Sequence, residues 1–94
     1  MTTSPAAETV PALRPEARFR KFRGKTMVAY GPNALELSET AAFVVAHVDG
    51  QRSVAQLGAL LAEEYDIDAV EGVADVHELL TELAESGILT LRHA

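Results

Sequence analysis

Residues 74–89 read ADVHELLTELAESGIL, and the placement of this stretch decides the fold. Val76, Leu79, Leu80 and Leu83 recur at the three- and four-residue intervals of a helix turned toward a core. Gly87 suits the left-handed residue that ends a helix, and Ile88 can then fold back onto Leu83 or its neighbours. Followed upstream, the pattern predicts a helix from about Ala69 to Glu85. In many small three-helix domains the corresponding helix reads DNA. This one carries acids and neither lysine nor arginine.

Turned on its axis at 100° per residue with Val73 at zero, the helix separates into two arcs. Asp68, Glu71, Asp75, Glu78, Glu82 and Glu85 fall between about 120° and 220°. Ala69, Val70, Val73, Val76, His77, Leu79, Leu80, Leu83 and Ala84 fill the arc from about 240° round to 60°. That apolar arc is about 180° wide, whereas one core needs roughly 100°. The surplus either packs against both neighbouring helices and a sheet, or stays at the rim for a partner. The acids are like-charge neighbours that cost roughly 0.2–0.5 kcal/mol per pair at low salt. They form either a solvated face or an acidic rim for a basic partner. In both cases they repel phosphates, and the helix has no Arg, Lys, Asn or Gln to aim at base edges.

Upstream, SVAQ (53–56) is a capping box that starts a helix with Val54, Leu57, Gly58, Leu61 and Tyr65 on one stripe. Ser38 can cap an earlier helix, Glu39 to Val48, apolar nearly all round and so expected to be buried on most sides. Asp49-Gly50 ends it, with Gly50 suited to the C′ position. Before that helix, RFRKF (18–22), TMVAY (26–30) and ALEL (34–37) read as strands, separated by turn signals at Gly24 and at Gly31-Pro32-Asn33. The order predicts an α+β, winged helix-turn-helix-like domain: a three-stranded antiparallel sheet followed by three helices. Residues 1–13 lack periodicity and read as a flexible tail, leaving 14–94 as a single domain.

The chain has 94 residues, no cysteine and a net charge of −6, unevenly placed. Residues 1–30 are +4 and residues 31–94 are −10, so the back half disfavours nucleic acid. Without cysteine there is no disulfide or thiolate chemistry. With no apolar run near ~20 residues and no secretory start, no membrane role is expected and a cytoplasmic protein follows. His47, His77 and His93 have no metal-ligand spacing, Ser38 and Ser53 are caps rather than nucleophiles, and no glycine pattern cradles a phosphate. The expectation is no enzyme, no metal and no cofactor.

Strand order is not legible from the sequence. With Ala34–Leu37 at an edge, its free N–H and C=O groups invite another strand. With Leu35 and Leu37 turned toward the third helix, a guest strand would drop apolar side chains into a groove between them. Two anchors at ~1.5–3 kcal/mol each and about four ladder bonds near 1 kcal/mol, less roughly 2–5 kcal/mol for ordering the guest, allow micromolar binding. The candidate peptide contacts are Ala34, Leu35, Glu36 and Leu37 on the strand, with Val73, Val76, His77 and Leu80 on the helix. Either helix flank, Leu79/Leu83 or Val70/His77, can face the groove.

LRPEARFRKF (13–22), ALELSETAAFVVAHVDGQRSVAQLGALLAEEYDID (34–68) and DVHELLTELAESGIL (75–89) together resemble the PqqD family, over about Leu13 to Leu91. The most recognisable pieces are VDGQRSVAQL (48–57) and the DV..LL..L...GIL pattern (75–89), and their order and spacing together carry the resemblance. The resemblance implies a RiPP recognition element, a winged-helix-like module that binds the leader of a ribosomally made precursor peptide. Such modules pair the leader as an added strand with the third strand, beside the third helix, and present it to a maturation enzyme. In PqqD that enzyme is a radical SAM protein; related lasso-peptide modules work with a leader peptidase. The N-terminal hairpin is shorter than in PqqD proper and the third strand lacks the aromatics of lasso modules, so the pathway stays open. Two other readings are a winged-helix DNA-binding protein using the basic hairpin, and a structural subunit or homodimer using the same edge on itself.

Overall fold

The computed structural model describes residues 8–92. Its elements run β1 (Val10–Leu13), β2 (Arg18–Phe22), β3 (Lys25–Tyr30), β4 (Asn33–Leu37), α1 (Glu39–Ala46), α2 (Val54–Tyr65), α3 (Ala69–Glu85) and β5 (Leu89–Arg92). Strands β2, β3 and β4 form the expected three-stranded antiparallel sheet in that order. Two-residue loops join them, Arg23-Gly24 between the facing residues Phe22 and Lys25, and Gly31-Pro32 between Tyr30 and Asn33.

The helix ends follow from side-chain chemistry. The Ser38 hydroxyl accepts the Ala41 N–H at 3.0 Å. Ser53 and Gln56 form the reciprocal box, at 3.2 and 2.8 Å. Asp68 caps α3 by accepting the Val70 N–H at 2.7 Å. Past Glu85, Gly87 takes φ 82°, the Ile88 N–H reaches the Leu83 carbonyl at 3.1 Å and the Gly87 N–H the Ala84 carbonyl at 3.0 Å. This is the double bond pattern of a left-handed helix ending, and it satisfies carbonyls that would otherwise be orphaned.

Two expectations change. The tail assigned to residues 1–13 is overturned at its end, because Val10–Leu13 is β1. It pairs antiparallel with β5, from Val10 opposite Arg92 to Leu13 opposite Leu89. Pro11 and Thr9 are buried, and the Thr9 carbonyl accepts the Val54 N–H at 2.9 Å. A proline is tolerated because this two-stranded ribbon leaves one side of the strand unbonded. Residues 1–7 and 93–94, His93 included, lie outside the described residues. The first helix also stops earlier, with His47 as its C-cap, so Gly50 (φ 81°) shapes the following loop and not the helix end. In that loop Asp49 accepts the Arg52 and Gln51 N–H groups at 2.8 and 2.9 Å. Those bonds, with the Arg52 charge beside them, hold its carboxyl below the ordinary value.

The core is shared by all the layers: Val28 and Leu37 from the sheet, Val44 and Val45 from α1, Leu57 and Leu61 from α2, Val76, Leu80 and Leu83 from α3, then Ile88 and Leu89. Helices α2 and α3 meet at glycines. A Cβ on Gly72 would stand 2.5 Å from the Gly58 carbonyl oxygen, and one on Gly58 would stand 2.6 Å from the Val73 Cα. Only glycine permits that approach, and it locks α3 against α2 along one flank.

Candidate peptide-binding groove

Along β4, Leu35 and Leu37 lie opposite Val28 and Thr26. Alternation puts them on the sheet face that meets the helices. Leu37 is buried and Leu35 half-buried against the core. Ala34 and Glu36 face outward, where Glu36 sits 3.4 Å from the Lys25 ammonium. On one side β4 bonds to β3; on the other, among the described residues, no strand follows it. The strand is therefore an edge.

The C-terminal end of helix α3 reaches this edge. At one end the Asn33 side-chain amide donates to the Ser86 carbonyl at 3.3 Å, tying the start of β4 to the end of the helix. At the other end β4 runs into Ser38, and a groove of about 320 Å³ opens between α1 and α3. Thr40, Ala41 and Val44 form one wall, Leu61 lies at the base, and Asp75, Glu78, Leu79 and Glu82 form the other wall.

The sequence-predicted residues divide. Ala34, Leu35, Glu36 and Leu37 sit on the edge strand as expected. Val76 (0% exposed) and Leu80 (1%) are enclosed in the core, so neither presents a surface to a guest. Val73 is half-buried and packs toward Gly58 of α2. His77 is half-buried, its carbonyl accepting the Thr81 hydroxyl at 2.8 Å, and it does not line the groove. Of the two flanks, the groove takes the Leu79 side; Leu83 is buried and Val70 is 79% exposed. The cause lies in the overlong apolar arc. The core uses only its middle, leaving Leu79, at about 240°, as the margin that meets the acids. Sequence reasoning missed Thr40, Ala41, Val44 and Leu61; the position of Leu79 next to the acidic arc was the available signal.

A larger cleft, about 970 Å³, lies under the β2–β3 hairpin, between Phe19, Lys21 and Thr26 above and Ala42, Phe43 and Ala46 of α1 below. Helix α1 is thus less enclosed than its composition suggests. This cleft takes Glu36 and Leu37 of β4 but no residue of α3, whereas the smaller groove takes α3 and, from the end of β4, only the following Ser38. Tyr65 lines it, its phenol pushed up by desolvation and by the Glu39 and Glu64 carboxylates. The groups with latent chemistry serve the fold. Ser38 and Ser53 cap helices, and His47 donates from Nδ1 to the Phe43 carbonyl at 2.8 Å with its ring 4.5 Å from that of Phe43.

Charge divides the surface. The described ion pairs are Lys25–Glu36 and Arg52–Asp49, so among the described residues no carboxylate of α3 is ion-paired. Cations Arg18, Arg20, Lys21 and Arg23 cluster at the opposite edge of the sheet, on β2 and its turn.

A three-stranded sheet, three helices and an edge strand tied to the end of the last helix define a winged-helix-like module. The family model described as coenzyme PQQ synthesis protein D (PqqD) matches residues 24–89, and the chain belongs to this family. A PqqA binding protein of Xanthomonas oryzae pv. oryzae (strain KACC10331 / KXO85) is 36% identical over 86 residues, 89% of this chain and 94% of that protein. Among solved structures, the PqqD truncation of Methylobacterium extorquens PqqCD, a functional stand-alone RiPP recognition element, superposes with a TM-score of 0.75 at 30% identity, over 86% of this chain and 88% of that one. Lasso peptide synthetase B1, solved in complex with the leader peptide, gives 0.73 at 26% identity, over 89% and 99%.

Proposed function

We propose that this protein is a non-catalytic adaptor that binds the leader of a ribosomally made precursor peptide. The leader adds as a strand to the free margin of β4 and lays side chains into the groove against α3. The protein then presents it, in the cytoplasm, to a maturation enzyme of the radical SAM or leader-peptidase class. The observation that carries this reading is the β4 edge, unpaired among the described residues, followed at Ser38 by a part-apolar groove between α1 and α3. Support comes from the family, whose relatives include PqqA binding proteins and a synthetase solved with its leader. The contact set is Ala34, Leu35, Glu36 and Leu37 with Leu79 and its acidic neighbours, in place of Val76 and Leu80.

Titration of a 15N-labelled sample with a synthetic PqqA peptide tests it. Amide shifts are expected in Ala34–Leu37 and in Asp75–Glu82. Shifts restricted to the β2–β3 hairpin would sink the reading.

A further inference from the structure

The groove is asymmetric in charge. Its base and inner walls are aliphatic and small, with Ala41, Val44, Leu61 and Leu79. Its α3 rim carries Asp75, Glu78 and Glu82, all exposed and none ion-paired among the described residues. The facing rim offers the Ser38 and Thr40 hydroxyls and no cation. Five of the chain's eight Lys and Arg residues (Arg18, Arg20, Lys21, Arg23 and Lys25) stand instead on the β2–β3 hairpin. Three acids one helical turn apart repel one another, and that repulsion is relieved by a guest that brings the opposite charge.

Resting on the leader-binding reading above, we infer that this groove selects a basic leader: an aliphatic anchor seated against Leu79, flanked at two-residue spacing by Lys or Arg facing Asp75, Glu78 and Glu82. The spacing follows from geometry. Cations two residues either side of the anchor on an extended strand are about 13 Å apart, and Asp75 and Glu82, seven apart on a helix, are separated by about 10.5 Å of rise, a difference that long Lys and Arg side chains span. Lysine and arginine stems also cover apolar surface while their charged ends stay in water, which suits a groove with a greasy base and an acidic lip. An acidic leader meets the same lip as repulsion and is rejected.

A library of random 12-residue peptides displayed on phage is selected on the full chain and on a Glu78→Lys/Glu82→Lys variant. Both acids are exposed and their reversal relieves repulsion along α3, so the variant folds, as circular dichroism will verify. The chain should enrich aliphatic anchors flanked by Lys or Arg, and the variant should enrich anchors flanked by Asp or Glu. In solution an enriched peptide should bind about 3- to 20-fold tighter than its Lys→Glu counterpart at low salt, with the gap narrowing as salt shortens the screening length. Peptides that shift β4 and α3 but show no charge preference, or the same preference in both proteins, overturn the selection of basic leaders and leave leader binding intact. Peptides that shift only the hairpin, or no enrichment at all, overturn both.

Discussion

The two margins of the β2-β3-β4 sheet are built for opposite ends. All five residues of β2 are exposed, and Phe22 is 64% exposed with the Arg23 guanidinium 5.3 Å from its ring centre. Arg18, Arg20 and Lys21 crowd this margin, and charge of that kind is how proteins keep an edge from pairing with stray strands. On β4, by contrast, Leu37 is buried and the outward residues are Ala34 and Glu36. The end of a helix is tied to the strand through Asn33 and Ser86. An edge is thus guarded or left open according to what its side chains repel and what stands beside it. Being unpaired does not decide the matter.

The largest expected effect comes from the core behind the groove. Leu80→Ala opens a cavity behind α3 and should cost about 2–5 kcal/mol, read as a lowered urea midpoint, and leader affinity should fall with it. Leu79→Ala acts at the lip. It should weaken binding of a PqqA peptide by roughly 1–2 kcal/mol, about 5- to 30-fold by calorimetry, while costing less stability than Leu80→Ala. If the two variants lose stability and affinity in the same proportion, the distinction between core flank and groove flank of α3 is wrong. Ser53→Ala removes the capping box remote from both margins and should cost about 1 kcal/mol of stability, with affinity for the peptide unchanged once the folded fraction is corrected.

Acid sharpens the contrast further. Asp49 has its pKa lowered by the backbone groups of Arg52 and Gln51. A carboxyl depressed in the folded state contributes stability above its unfolded pKa and loses it as pH falls through the folded one. Asp49→Asn should therefore flatten the acid limb of the thermal-melt profile without touching either margin. The smallest effect belongs to the guarded edge. Phe22→Ser should change stability by under about 0.5 kcal/mol and leave peptide affinity alone; a clear loss of affinity would move the site to β2.

Much of the fold was legible because its signals are local. The Ser53–Gln56 box, the Gly87 ending and the limits of α3 each follow from a few neighbouring residues, and all stand as expected. The β1–β5 ribbon was illegible for the opposite reason: Val10–Leu13 carries a proline and no alternation, and its partner lies near the other end of the sequence. The site was half legible. Alternation in ALEL put Leu35 and Leu37 on one face, but an apolar arc of about 180° contains more than one possible core stripe. The close glycine contact of α2 with α3, with the rest of the core, turns Val76 and Leu80 inward and leaves Leu79 at the lip.

The ribbon that escaped sequence reading has a practical consequence. Val10 faces Arg92 across a strand pair, so a polypeptide joined ahead of the first and another joined behind the second would depart from one corner. Splicing an enzyme onto either side should hold it at a similar distance from the leader, and a short bridge between the two positions should permit a circularly permuted form opened at the Arg23-Gly24 turn.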